Sequence, residues 1–400
     1  MNKWIKLKYV ATSFSTAQKQ SDVLENGEYK VYGASGLVGY LDTFGADTPY
    51  IGIVKDGAGV GRTNIYNAYT SLLGTMAYIV PRNPDNTNLH FLQYAISALN
   101  LGETAGDKAT IPHIYFSVYG NKYILHVPVD TQKKIATYLN QKCDKVNSLI
   151  QNVQTQIEKL KAYRQSLITE VVTKGLDPTV PMKDSGVDWI GEIPEHWSVA
   201  ALKYFTDILP GYAFSSNDFH AEAGIPLLRG VNVTPNGIRW DDTVYWNKEI
   251  TDKLKPFILQ LDDIVVGLDR PWISEGTRIT RMTEKDLPSL LLQRVCRIRV
   301  KASMDSRWVF LGIASNAFKE SLSTETTGIS VPHISTKQIG DFIVALPSME
   351  TQKEICDFID KKRSQIDRLI TSKQAKIEKL EQYKRSLIYE YVTGKKEVRL

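Results

Sequence analysis

Cysteine is scarce in this chain of 400 residues: there are three, Cys143, Cys296 and Cys356. Three thiols cannot all pair and none shows metal-ligand spacing, so a reducing cytoplasm is the simplest inference. No apolar run reaches membrane-spanning length, and Met1-Asn2-Lys3-Trp4 does not open a secretory signal, so no membrane contact is expected. A large charge excess is missing too. The 49 Lys and Arg against 44 Asp and Glu leave a formal +5. That mild basic bias permits a nucleic-acid partner without demanding one.

The signatures of catalysis are also wanting. An amino-methyltransferase would show an Asn/Asp-Pro-Pro-aromatic run, and the nearest text, Asn83-Pro84-Asp85, fails. There is no Walker A loop: five positions before Gly394-Lys395-Lys396 stands Tyr389, and no Ser or Thr follows the lysine. The spacing of Gly57-Ala58-Gly59-Val60-Gly61-Arg62 is not the dinucleotide fingerprint, so it reads as a flexible turn that approaches a DNA backbone. His90, His113, His126, His196, His220 and His333 form no metal pair. His113 and His333 each follow a proline just before a long helical pattern, which suits a hydrogen-bonded hinge. The adjacent carboxylates Asp241-Asp242 and Asp262-Asp263 read as solvated turn residues. No catalytic, cofactor-binding or metal-binding residue is therefore expected in this chain.

What the chain does contain is a repeat. Shifted by 220 positions, Thr131-Gln132-Lys133 falls on Thr351-Gln352-Lys353, and the register holds without a gap to Thr173 and Thr393. Of those 43 aligned positions, 19 are identical. The period far exceeds that of a solenoid repeat, so one large unit has been duplicated. Each copy carries apolar residues at steps of three and four and no internal Pro or Gly, the pattern of one long helix of roughly 65 Å at 1.5 Å per residue. A narrow stripe on so long a helix calls for a partner helix, and the other copy is the obvious one. The core of that helix pair is expected at Ile135, Leu139, Val146, Ile150, Val153, Ile157 and Leu160 against Ile355, Ile359, Ile366, Ile370, Ile377 and Leu380.

The fold class is accordingly α+β: two globular mixed α/β domains separated by the two long helices. Residues 1–127 form the first domain, with strands expected near Tyr29–Tyr32, Tyr50–Val54, Met76–Val80 and Tyr123–Val127 and a short helix at His90–Leu99. Residues 128–174 form the first long helix. Residues 175–196, with Trp and Ile anchors among prolines and glycines, form an ordered connector. Residues 197–347 form the second domain, and 348–400 the second long helix and tail. Pro332-His333-Ile334 and Gly340 lie 220 after Pro112-His113-Ile114 and Gly120, whereas the middles of the domains show no convincing match. A shared frame with unlike centres fits two different readers joined by paired rods.

The order domain, helix, domain, helix resembles the specificity (S) subunit of Type I restriction-modification systems. So does the wording of Tyr32-Gly33-Ala34-Ser35-Gly36 with Gly39-Tyr40, of the junction from Gly175 to Trp197, of Pro332-His333-Ile334 and Pro347 through Gln352, and of Tyr383-Lys384-Arg385-Ser386-Leu387-Ile388. The resemblance covers essentially the whole chain. It implies that each globular unit is a target recognition domain for one half of a bipartite asymmetric DNA site. It implies that the helices pair as an antiparallel coiled coil with an internal pseudo-twofold repeat, set the spacer, and dock two methyltransferase (M) subunits. S-adenosylmethionine, ATP and Mg would then belong to those M subunits and to the motor-nuclease restriction (R) subunits. The specificity subunit itself would hold no cofactor.

Base readout needs donors that reach base edges, and phosphates need general basic coverage. The DNA-binding candidates are Lys30, Tyr32, Ser35, Lys55, Arg62 and Lys108 in the first domain. In the second they are Arg229, Asn232, Arg239, Arg270, Arg278 and Arg281, with Trp272 close to the richest cluster. The competing class is a structural coiled-coil scaffold whose globular ends bind proteins. Salt-sensitive, sequence-selective binding to double-stranded DNA separates the two.

Overall fold

The computed structural model describes residues 3–57, 59–104, 112–273, 276–323 and 333–398. The chain is α+β and forms two compact units, Met1–Thr155 with Lys373–Leu400, and Gln156–Ser372. The division runs through both long helices, Val129–Lys174 and Met349–Val392, so each unit holds the start of one and the end of the other. Pro128 and Pro347 precede the two helices. Gly175 (φ +78°) and Gly394 (φ +73°) follow them in the left-handed conformation that closes a helix without a Cβ clash.

In the first unit a four-stranded antiparallel sheet has the order Ala11–Ser15, Met76–Pro81, Tyr50–Val54, Thr63–Tyr66. Every residue of Tyr50–Val54 is buried. Alternation sends Ile51 and Ile53 to the face covered by the helix Leu89–Ser97, through Phe91, Leu92 and Ile96. Tyr50 and Val54 face a second cluster with Tyr66, Leu72 and Tyr78. A ribbon of Lys3–Lys6 and Tyr123–His126 leads into the first long helix. Ile135, Ala136, Leu139 and Cys143 of that helix share one core with Leu387, Ile388, Tyr391 and Val392 of the second. The Tyr391 and Tyr138 hydroxyls are 3.2 Å apart, and Lys384 Nζ donates to Asn147 Oδ1 at 2.7 Å. Position numbers rise on one helix as they fall on the other, so the pairing is antiparallel.

The second unit repeats this plan. Its four-stranded sheet has the order Thr206–Pro210, Val295–Val300, Ile264–Gly267, Ile279–Arg281. The ribbon is Ser198–Ala201 with Ile343–Leu346, and the covering helix is Ser306–Ala314. Ile168, Val171 and Val172 join Ile355, Cys356 and Ile359 in its core, and Arg164 Nη1 meets Asp367 Oδ1 at 2.7 Å. The connector is a hairpin, Met182–Asp184 against Glu192–Pro194, and it buries Ile190 and Ile193 in the same core, beside Trp197. The middles thus share a strand order that their sequences do not advertise. Apolar strands of the right length can be written with many residues, because cores accept volume-conserving exchange.

The expected helix stripe divides by burial. Ile135, Leu139, Val146, Val153, Ile157, Ile355, Ile359 and Ile366 are buried, whereas Ile150, Leu160, Ile370, Ile377 and Leu380 are partly exposed. Ile135, Leu139, Ile355 and Ile359 also pack on their own unit's globular core. Among the described residues no helix is long and apolar enough to cross a membrane.

Candidate nucleic-acid interface

One arrangement occurs in both units at the end of the central strand. In the first, Lys55 N–H donates to the Thr75 carbonyl and Ile114 N–H to the Lys55 carbonyl, both at 3.0 Å. In the second, Leu268 N–H donates to the Arg294 carbonyl and Ile334 N–H to the Leu268 carbonyl, both at 2.9 Å. The next residue is an aspartate each time. Asp56 Oδ1 lies 2.7 Å from His113 Nδ1, and Asp269 Oδ1 lies 2.7 Å from His333 Nδ1. Both histidines pin a neighbouring segment to the strand end, so they are hydrogen-bonded fasteners. The residue after each aspartate is left-handed: Gly57 at φ +93° and Arg270 at φ +45°. A non-glycine residue there is strained, and such strain persists where the surroundings enforce it.

In the first unit Lys30 and Ser35 are exposed and Lys55 is partly buried. Arg62 is exposed, with Nη2 3.5 Å from the Ala34 carbonyl, which brings it to the turn that carries Ser35. Tyr32 packs on Tyr66 with ring centres 4.7 Å apart, so its ring serves the aromatic cluster of that unit. Lys108 lies outside the described residues.

In the second unit several candidates turn inward. Asn232 is buried, accepts the Arg229 N–H at 3.0 Å and donates to the Arg239 carbonyl at 2.8 Å, stapling its own loop. Arg278 donates to the Asp269 carbonyl at 2.9 Å and the Val233 carbonyl at 3.3 Å. Burial, with help from nearby Arg270, pulls its guanidinium below the usual arginine range. Arg229 Nη2 meets Asp242 Oδ2 at 2.9 Å, and Arg281 Nε meets Asp262 Oδ1 at 3.2 Å. Arg239 is exposed, 3.5 Å from Asp241, and Arg270 is exposed. The sequence reading missed Arg294. It is left-handed (φ +70°), 66% exposed, and lies 3.6 Å from Asp269 Oδ1. A lone arginine after Gln293 carries no local signal that would have marked it.

This unit also holds a cavity of about 260 Å³ whose lining includes Arg164, Arg281, Lys285, Arg307 and Arg363. Arg307 is committed to Asp305 at 3.1 Å, Asp357 at 2.6 Å and Asp360 at 3.3 Å, and the bonds to Asp305 and Asp357 hold its proton more tightly than usual. Among the described residues no group of three or more His, Cys, Asp or Glu is placed to hold a metal ion.

Residues 194–382 match the family model of the Type I restriction modification DNA specificity domain. Over 326 residues the chain is 30% identical to the Type I restriction enzyme MjaVIII specificity subunit of Methanocaldococcus jannaschii, across 81% of this chain and 74% of that protein. This chain belongs to the Type I specificity-subunit family. It is also 30% identical over 205 residues to the EcoAI specificity subunit of Escherichia coli, across 51% of this chain and 34% of that one. A solved chain from work on complex assembly and conformational transition of the type I R-M system superposes with a TM-score of 0.67 at 12% identity, over 98% of both chains. At that identity the likeness speaks for the fold alone. The specificity-domain match takes in the second unit's four-stranded sheet and the Asp269–His333 pair.

Proposed function

We propose that this chain is the non-catalytic DNA-reading subunit of a cytoplasmic Type I restriction-modification complex. Each globular part reads one half of a bipartite asymmetric site in double-stranded DNA. The long helices set the spacer between the halves and dock two methyltransferase subunits, which bring S-adenosylmethionine. Motor-nuclease subunits, with ATP and Mg, complete the enzyme. The observation that carries this reading is the doubling itself. Two units share one strand order, yet Gly57 and Lys55 stand at one strand end where Arg270 and Leu268 stand at the other. A common frame with unlike tips suits a target with unlike halves.

The test is to express the chain with its methyltransferase and map the methylated adenines. One heptad is then inserted into each long helix, which adds about 10 Å, or roughly three base pairs. The spacer should lengthen while both half-site sequences stay the same. Altered half-sites with an unchanged spacer would overturn the division of labour.

A further inference from the structure

His113 and His333 do more than fasten a loop. A carboxylate only accepts hydrogen bonds, so the ring nitrogen facing Asp56 or Asp269 carries a proton. That bond fixes each ring, and Nε2 is turned away from the carboxylate with no hydrogen-bond partner among the described residues. Both side chains remain open to solvent, His113 at 45% and His333 at 48%. Basic groups flank both. Exposed Arg270 and Arg294 adjoin Asp269, and Lys55 precedes Asp56. The carbonyl of Arg62, whose side chain is exposed, accepts the Val54 N–H beside that strand end.

The two strand ends differ at Lys55 and Gly57 against Leu268 and Arg270, share an arginine at Arg62 and Arg278, and agree in Asp and His. What two unlike half-sites share is the phosphate backbone, which carries no sequence information. We propose that His113 and His333 each donate from Nε2 to a DNA phosphate, one in each unit, as the sequence-independent part of the grip. This contact rests on the DNA-reading function proposed above. The aspartate fixes the ring with Nε2 outward, and a ring carrying both protons donates to the aspartate and to the phosphate at once. Asp56 and Asp269 are thus positioning residues.

The test uses the full chain and random-sequence duplex DNA at about pH 6, where imidazole as a side-chain type takes up charge. Affinity is followed between about 50 and 200 mM salt. Asparagine places its amide nitrogen where Nδ1 stood, so His113→Asn with His333→Asn keeps the aspartate bonds and loses both Nε2 donors. The slope of log affinity against log salt should fall by about 1.8, at about 0.9 per phosphate contact. His113→Arg with His333→Arg, which keeps a charged donor, should hold the wild-type slope. An unchanged slope in the asparagine pair, or an equal loss in both pairs, would overturn the proposal. A wild-type chain whose DNA binding ignored salt would instead overturn the DNA-reading function beneath it.

Discussion

Gln352 takes the backbone N–H of Asp305 onto its side-chain oxygen at 3.0 Å, and its Nε2 donates to the Pro347 carbonyl at 3.1 Å. Gln132 does the same in the other unit. It accepts the Asn88 N–H at 2.9 Å and donates to the Val127 and Asn86 carbonyls at 2.8 and 3.0 Å. Asn88 and Asp305 are the N-caps of the two covering helices. Each buried glutamine therefore ties a covering helix to the first turn of a long one. Methionine matches the shape and makes none of these bonds. Gln352→Met should cost about 1–3 kcal/mol, and Gln132→Met more, because it orphans a third backbone group. Thermal unfolding of the two variants ranks them, and equal midpoints would remove the third bond from the account.

Those glutamines show what the sequence made legible. The Thr-Gln-Lys repeat was visible, as were both helices and the strand Tyr50–Val54. The task of the glutamine was not, because its partners lie 44 and 47 residues away. The Asp–His pairs escaped for a related reason. They span 57 residues in one unit and 64 in the other, so a shift of 220 that aligns the histidines misaligns the aspartates. Residue type marked Asn232 and Arg278 as readers. Only loop geometry could show that both spend their donors on backbone carbonyls.

Thiol chemistry should follow the two units separately. Burial pushes Cys296 and Cys356 up to about 12 and raises Cys143 as well. The thiolate is the reactive form, so at about pH 8 Cys296 and Cys356 should resist iodoacetamide on the order of a thousandfold better in the folded chain than in the unfolded one, and Cys143 should also be slowed. Cys143 belongs to the first unit and the other two to the second. Labelling along a urea series, read by mass spectrometry, should therefore give one transition for Cys143 and a shared one for Cys296 and Cys356. Separate midpoints for Cys296 and Cys356 would contradict a cooperative second unit.

Acid should loosen the second unit through Asp341. Hydrogen bonds from Lys203 and Lys337, at 2.7 and 2.6 Å, hold its carboxyl down at about 2. A carboxyl with a depressed folded value contributes stability above its unfolded value, near 3.9, and loses it as pH falls towards about 2. The melting temperature of wild type should thus exceed that of Asp341→Asn at about pH 5, and the gap should narrow steeply as pH falls towards about 2. Added salt should shrink the gap, since the pair is solvent-exposed. A gap as wide at about pH 2 as at about pH 5 would assign the asparagine's effect to packing.

Arg270 and Arg278 are neighbours with opposite tasks, and substitution should separate them. Arg270 is exposed and left-handed, where the other unit has Gly57. Arg270→Gly should relieve strain of about 1 kcal/mol and raise the melting temperature, while DNA affinity falls with the loss of an exposed cation. Arg278 binds the Val233 and Asp269 carbonyls. Arg278→Ala should orphan both and cost about 1–3 kcal/mol, so any fall in DNA affinity comes with a less stable unit. Stability and affinity therefore move in opposite directions for one arginine and together for the other. A stabilised Arg270→Gly chain that bound duplex DNA as tightly as wild type, with the same salt dependence, would strike Arg270 from the interface. Its backbone strain would then have no functional reason.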